Sequence, residues 1–223
     1  MLPRVLEPEV MDSEEEARDY DQMDHAAVNA RFVADLLAEG PLDDSRHGPV
    51  LDLGTGTAQI PIELCRAAPA ARVVAVDLAE SMLALARKNV EAAGLAARIE
   101  VRKADGKRLP FDDSAFFAVM SNSIVHHIPH PADAFAEALR VTRREGRLFF
   151  RDLLRPESDA EVERLVALYA AGANDHQRAL FDASLRAALT VDEVRAIVDS
   201  LGLCPNCVAQ TSDRHWTFAA AVK

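Results

Sequence analysis

The sequence has no uninterrupted apolar stretch of the roughly 18 residues that a membrane-spanning helix needs, and its start carries no basic segment leading into an apolar core. A soluble, cytoplasmic protein with no membrane partner is expected. Positive charge is also short. Against 36 Asp and Glu stand 25 Lys and Arg, a formal net charge of −11, so phosphate backbones are poor partners and no nucleic acid is expected. Cysteine is scarce: of Cys65, Cys204 and Cys207 only the last two form a C-x-x-C pair, and one pair cannot complete a tetrahedral zinc site. That pair follows a helix-ending Leu201-Gly202 and not a strand, which predicts packing positions in place of redox chemistry. Internal repeats and low-complexity tracts are missing too. At 223 residues the chain can bury a substantial core as one large domain, or as a core with an added cap.

What is there begins with Val50-Leu51-Asp52-Leu53-Gly54-Thr55-Gly56-Thr57-Ala58-Gln59-Ile60-Pro61, an apolar strand that enters a small-residue turn and then a helical pattern. Gly54 and Gly56 let the chain turn with no Cβ in the way, so backbone N–H groups and a helix start can face a ligand. The dinucleotide fingerprint G-x-G-x-x-G needs a third glycine where Gln59 stands, which argues against a nicotinamide enzyme. Asp52 puts a carboxylate at the strand end, where a pyrophosphate is repelled and an ammonium attracted. Asp77 ends the next apolar run, at about the 20-residue spacing where a strand-end acid takes ribose hydroxyls. Two acids suit a cationic nucleoside better than NAD.

From about Pro49 to Leu153 these residues resemble the class I S-adenosylmethionine-dependent methyltransferases. The resemblance implies S-adenosylmethionine as cofactor and S-adenosylhomocysteine as product. It implies that Asp52, Gly54 and Gly56 hold the methionine part, that Asp77 takes the ribose hydroxyls, and that Leu78 and Met82 pack on adenine. Asp105, followed by Gly106, matches the acid near the adenine amino group, and Val119-Met120-Ser121-Asn122 matches the strand beneath the methyl donor. Three positions depart from the pattern: Ala58 replaces a third glycine, Ala79 a serine, and Arg144-Glu145-Gly146 a Pro-Gly-Gly turn away from the cofactor. Tyr20-Asp21-Gln22-Met23-Asp24 also resembles the Tyr-Asp-x-Met-Asn stretch of the quinone-biosynthesis methyltransferases, in which an N-terminal segment helps cover the cofactor, although their later Ser, His and Trp positions are missing.

Apolar runs at 49–53, 72–77, 99–103, 116–121 and 147–153 alternate with amphipathic stretches, which predicts a doubly wound α/β fold, a mostly parallel sheet with helices on both faces. Strands around 207–211 and 216–222 bring the sheet to seven, the last resembling the family's antiparallel closing strand. The expected organisation is an N-terminal helical segment over the site (1–47), the cofactor-binding core (48–154), a helical cap insertion (155–202) and C-terminal strands that complete the sheet (203–223). Within the first segment, the acidic run Asp12 to Glu16 reads as a solvated face, and a helix through Val28, Phe32 and Leu36 ends at Gly40-Pro41. Ser158-x-x-Glu161 and Thr190-x-x-Glu193 read as capping boxes within the insertion.

Chemistry beyond the cofactor is carried by Ser123-Ile124-Val125-His126-His127-Ile128-Pro129-His130-Pro131, just past the donor strand. Pro129 and Pro131 interrupt any helix that would align His126 with His130, so no metal site is expected. His126 or His127 is instead the candidate general base. Tyr20, His25, Asn174, His176 and Arg178 are the candidate substrate contacts, at the rim where such a sheet gathers ligands. Methyl transfer to a small-molecule O, N, S or C acceptor is the expected function. The alternatives are a methyltransferase acting on RNA or protein and a binding protein without turnover.

Overall fold

In the computed structural model, which describes residues 2–8, 12–23, 25–42 and 47–223, the apolar runs form β1 (Val50–Leu53), β2 (Val73–Asp77), β3 (Ile99–Lys103), β4 (Phe116–Asn122), β5 (Thr142–Leu153), β6 (Val208–Gln210) and β7 (His215–Ala221). Their order across the sheet is β3-β2-β1-β4-β5-β7-β6. Strands β1 to β5 pair in parallel, and β7 runs antiparallel to both β5 and β6. The sheet is therefore the expected one, and strand order reverses between β1 and β4. A crevice opens there because the connections leave to opposite sides. Strand β5 starts at Thr142, earlier than the apolar run suggests, and Glu145 keeps a left-handed φ of 62° within it. Gly146 follows by necessity, since a Cβ on it would come within 2.6 Å of the Phe117 carbonyl oxygen.

The helices are α1 (Glu14–Gln22), α2 (Ala26–Ala38), α3 (Gln59–Ala67), α4 (Glu80–Ala92), α5 (Pro131–Val141), α6 (Asp159–Tyr169), α7 (Asp175–Ala187) and α8 (Val191–Ser200). Alternation along the strands sorts them into two layers. Val50, Ala75, Met120 and Phe149 meet Phe32 and Leu36 of α2, Leu64 of α3 and Val90 of α4. On the other face, Leu51, Val119, Phe150 and Trp216 meet Phe135 of α5 and Val194 and Val198 of α8. The Phe135 and Phe150 rings stack there with centroids 4.7 Å apart. Asp52 shares the face of Val50, a placement that matters below.

The insertion expected over 155–202 divides in two. Helices α6 and α7 close a cluster of their own, with Val162, Leu165 and Leu185 against Leu153, whereas α8 belongs to the core layer. The amphipathic pattern of α8 is the same as theirs, and only the surface it meets differs. The capping box at Thr190 and Glu193 forms with both reciprocal bonds, Ser158 accepts from the Glu161 N–H, and Asn174 with Gln177 makes a further box that opens α7.

Two N-terminal pieces lie against this frame. Helix α1 sets Ala17 and Tyr20 on Ala79 and Met82. Asp12 is not merely solvated: its Oδ1 accepts from the Ser81 N–H at 3.0 Å and the Ser81 hydroxyl at 2.9 Å. It thereby caps α4, whose own N-cap, Ala79, has no side chain able to do so. The segment 2–8 is fastened by Arg4, whose guanidinium donates to the carbonyls of Ala187 at 2.7 Å, Ile128 at 2.9 Å and His126 at 3.0 Å. Cys65 is buried and Cys207 half-buried, as packing positions, but Cys204 is exposed and does no packing. Among the described residues no helix is long and apolar enough to cross a membrane.

Candidate active site

The turn after β1 is built by hydrogen bonds from the Gly54 and Thr55 N–H groups to the Val76 carbonyl, both 2.9 Å. Gly54 and Gly56 hold φ of 76° and 54°, and a Cβ on Gly54 would overlap the Ile124 side chain. Ala58 takes a third left-handed position, φ 63°, as the N-cap of α3, which is the physical reason a glycine is common there. Asp77, at the end of β2, grips this turn: its Oδ2 accepts from the Gly56 N–H at 2.8 Å and its Oδ1 from the Ala79 N–H at 3.0 Å. Burial still raises the Asp77 carboxyl above its ordinary range despite those donors.

Asp52 lies beneath the turn and is not among the residues that line the cleft. It is 2% exposed, and burial pushes its carboxyl up to about 7, with the charge of Asp77 adding to the shift. The Thr55 hydroxyl beside it works the other way, favouring the ionised carboxylate without overcoming burial.

In front of the turn, at the carboxyl ends of β1, β2 and β4, a cleft encloses about 870 Å³, part of it open to solvent. Gly54, Gly56, Asp77, Leu78, Met82, Asp105, Gly106 and Asn122 all stand on its wall, joined by Ile124, Lys107 and Ile128, which the sequence did not single out. Burial works to raise the Asp105 carboxyl, but the Lys107 backbone N–H and ammonium, each 2.9 Å away, bring it below its ordinary value. Tyr20 closes the side of the cleft over Gly56. Burial pushes its phenol up to about 12, with Asp77, Asp52 and Asp21 reinforcing the neutral form.

Beyond β4 the chain makes a short 3-10 turn, Val125–His127, held from β5 by Asp152. The Asp152 Oδ2 accepts from the Val125 N–H at 2.5 Å, and its Oδ1 lies 2.5 Å from His126 Nδ1. From the opposite side Glu7 brings its Oε1 to 3.5 Å from His126 Nε2 and 3.1 Å from His127 Nδ1. Burial disfavours a charged His126, yet Asp152 and then Glu7 win, and its imidazole is raised above the usual range. Burial and the neighbouring His126 hold His127 down to about 3. Only His127 reaches the cleft; His126, 4% exposed, does not line it.

The other predicted contacts divide. Tyr20 is at the site, while His25, with its ring 4.9 Å from that of Tyr20, lines a neighbouring hollow with Asp21 and Gln59. Asn174, His176 and Arg178 do not line the cleft: Asn174 is spent on the N-cap of α7, and His176 is exposed at that helix's start. His130 is exposed at the start of α5, apart from the other two histidines. Asp24, the last residue of the quinone-type stretch, lies outside the described residues. Asp152 carried a signal that went unused, since it sits near the carboxyl end of the last parallel strand. Glu7 carried none.

A glycine turn gripped by a strand-end carboxylate, at the switch point of a 3-2-1-4-5-7-6 sheet with an antiparallel seventh strand, defines a Rossmann-like nucleoside site of the methyltransferase kind. Residues 51–150 match the methyltransferase domain family, and the chain belongs to the class I S-adenosylmethionine-dependent methyltransferases. It is 32% identical over 186 residues to the malonyl-[acyl-carrier protein] O-methyltransferase of Geobacter sulfurreducens, covering 83% of this chain and 66% of that enzyme. To the demethylmenaquinone methyltransferase of Thermus thermophilus it is 39% identical over 111 residues, 50% of each chain. The chain thus spans between half and about two thirds of the length of these curated relatives. A SAM-dependent methyltransferase from Aquifex aeolicus shares the fold, with a TM-score of 0.69 at 18% identity over 95% of this chain and 99% of that one.

Proposed function

We propose that the protein binds S-adenosylmethionine across the strand ends and transfers its methyl group to a small-molecule acceptor. The observation that carries this reading is Asp77, a half-buried carboxylate that organises the glycine turn through two backbone donors and still presents lone pairs to the cleft. The surrounding residues fit the cofactor. Gly54 and Gly56 leave main chain bare where the methionine part would lie, with the Asp52 carboxylate beneath to favour its ammonium. Leu78 and Met82 offer an apolar wall to adenine, and Asp105 offers an acceptor to its amino group. When bound, the sulfonium supplies a methyl group that is already a good electrophile, so the chain's task is alignment of the acceptor.

Of the two candidate bases, His127 is the one at the cleft, and it is neutral and able to accept a proton. Its low basicity limits the driving force, which leaves positioning as the larger contribution. His127→Asn should lower turnover about 10²-fold with S-adenosylmethionine affinity intact. Near-wild-type turnover in that variant and in His126→Asn would leave proximity as the mechanism. The net charge of −11 supports a small acceptor over nucleic acid, and the named relatives act, by their names, on malonyl-[acyl-carrier protein] and on demethylmenaquinone.

Titration calorimetry with S-adenosylmethionine, S-adenosylhomocysteine and NAD tests the cofactor. Tight binding of NAD with no response to the other two overturns the reading. Cell extract fractionated by mass and incubated with labelled donor tests the acceptor, and label confined to RNA or protein would sink the small-molecule assignment.

A further inference from the structure

The segment 2–8 brings a carboxylate to two imidazoles in a place no local motif marks. Glu7 Oε1, His126 Nε2 and His127 Nδ1 all lie within 4.8 Å of one another. The side chains of Glu7 and His126 are 8% and 4% exposed. Glu7 Oε1 and His127 Nδ1 are buried with no hydrogen-bond partner, a costly arrangement for polar atoms that face each other. Behind His126, Asp152 sits on Nδ1 at 2.5 Å. A carboxylate there holds a proton on Nδ1 and fixes the ring as it does behind metal-bound histidines, so a metal that displaces the proton on Nε2 meets an oriented ligand. Ser184 donates to the second oxygen of Glu7 at 3.3 Å, which orients that carboxylate in turn.

We propose that Glu7, His126 and His127 form a binding site for a divalent transition metal of the zinc or ferrous class. Two imidazoles and one carboxylate suit that class and are too nitrogen-rich for Mg²⁺ or Ca²⁺. Three protein ligands leave at least one coordination position free. Because His127 also lines the cleft, the ion stands at the cleft wall, where it can hold a hydroxyl, carboxylate or thiol of the acceptor. Only this last role rests on the methyl-transfer reading; the site itself rests on the side chains. It also gives Arg4 a purpose, since the bonds of that guanidinium to His126 and Ile128 seat the segment that delivers Glu7.

The test uses the purified 223-residue chain, stripped with a chelator and titrated with Co²⁺, then with Zn²⁺. One equivalent of Co²⁺ should bind with visible absorption bands of low coordination number, and Zn²⁺ but not Mg²⁺ should displace it. Glu7→Gln should weaken Co²⁺ binding by about 100-fold or more, and Asp152→Asn by about 10- to 100-fold, as outer-shell partners do. Circular dichroism and S-adenosylhomocysteine affinity of Glu7→Gln report on fold and cofactor site independently, so loss of the metal with both retained supports the site. Binding below one equivalent, or Co²⁺ affinity unchanged in a folded Glu7→Gln protein, overturns it, and does so whatever the cofactor titrations show.

Discussion

Asp77 and Asp52 stand close together at the ends of neighbouring strands, yet the structure separates their roles. Asp77 binds the turn and faces the cleft, so Asp77→Ala releases the Gly56 and Ala79 N–H groups and, on the function proposed above, loses a charged acceptor for the ribose. Calorimetry should show S-adenosylmethionine affinity lower by about 1.5 to 3 kcal/mol, and an unchanged value in a folded variant would remove the basis of the assignment. Asp52 acts from below through its charge. Its folded pKa of about 7 lies above the unfolded value of roughly 3.9, so the fold disfavours the ionised form. The destabilisation is absent below about pH 4, grows toward pH 7 and then levels, reaching on the order of 4 kcal/mol. Asp52→Asn should therefore match the parent at pH 4 and exceed it in denaturation midpoint at pH 8. An ammonium in the cleft favours the ionised form, so the parent's S-adenosylmethionine affinity should rise between pH 5 and 7, whereas the Asn variant's should stay flat. Gly54→Val, which drives a side chain into Ile124, should abolish binding more completely than Asp77→Ala.

At the scale of elements, the caps show what a sequence can and cannot say. The Thr190 box was legible because its two partners, Thr190 and Glu193, are the ends of one four-residue motif, and Asn174 was read as a substrate contact because its polarity fits a rim as well as a helix start. Asn174→Ala should cost about 1 kcal/mol of stability, read by chemical denaturation, with turnover unchanged. A fall in turnover at unchanged stability would return Asn174 to the substrate. Asp12 teaches the same lesson across a longer distance, because it caps α4 from 69 residues away. Helix α8 was assigned to the insertion since an amphipathic stripe announces that it will be buried and not what will bury it. The cleft wall was legible for the opposite reason. Its residues sit within or just after strands, where a glycine or an acid has one stereochemical meaning wherever the rest of the chain goes. His126 and His127 were found as a pair but their division of labour was not, because it depends on which ring Asp152 reaches from β5.

For the molecule as a whole, the segment 2–8 ties together parts that lie far apart in the sequence, since Arg4 reaches Ala187 across 183 positions and His126 across 122. During synthesis residues 2–8 are made long before Arg186 and Ala187 of α7, whose carbonyls accept from Val5 and Arg4. The N-terminal segment must wait, unpaired, until the cap exists, and its docking closes the assembly instead of starting it. A protein carrying a bulky N-terminal fusion should consequently show a folded sheet by circular dichroism, faster hydrogen exchange at the end of α7 and around the Val125–His127 turn, and recovery of protection once the fusion is cleaved. A C-terminal fusion should leave those amides as slow as in the untagged chain.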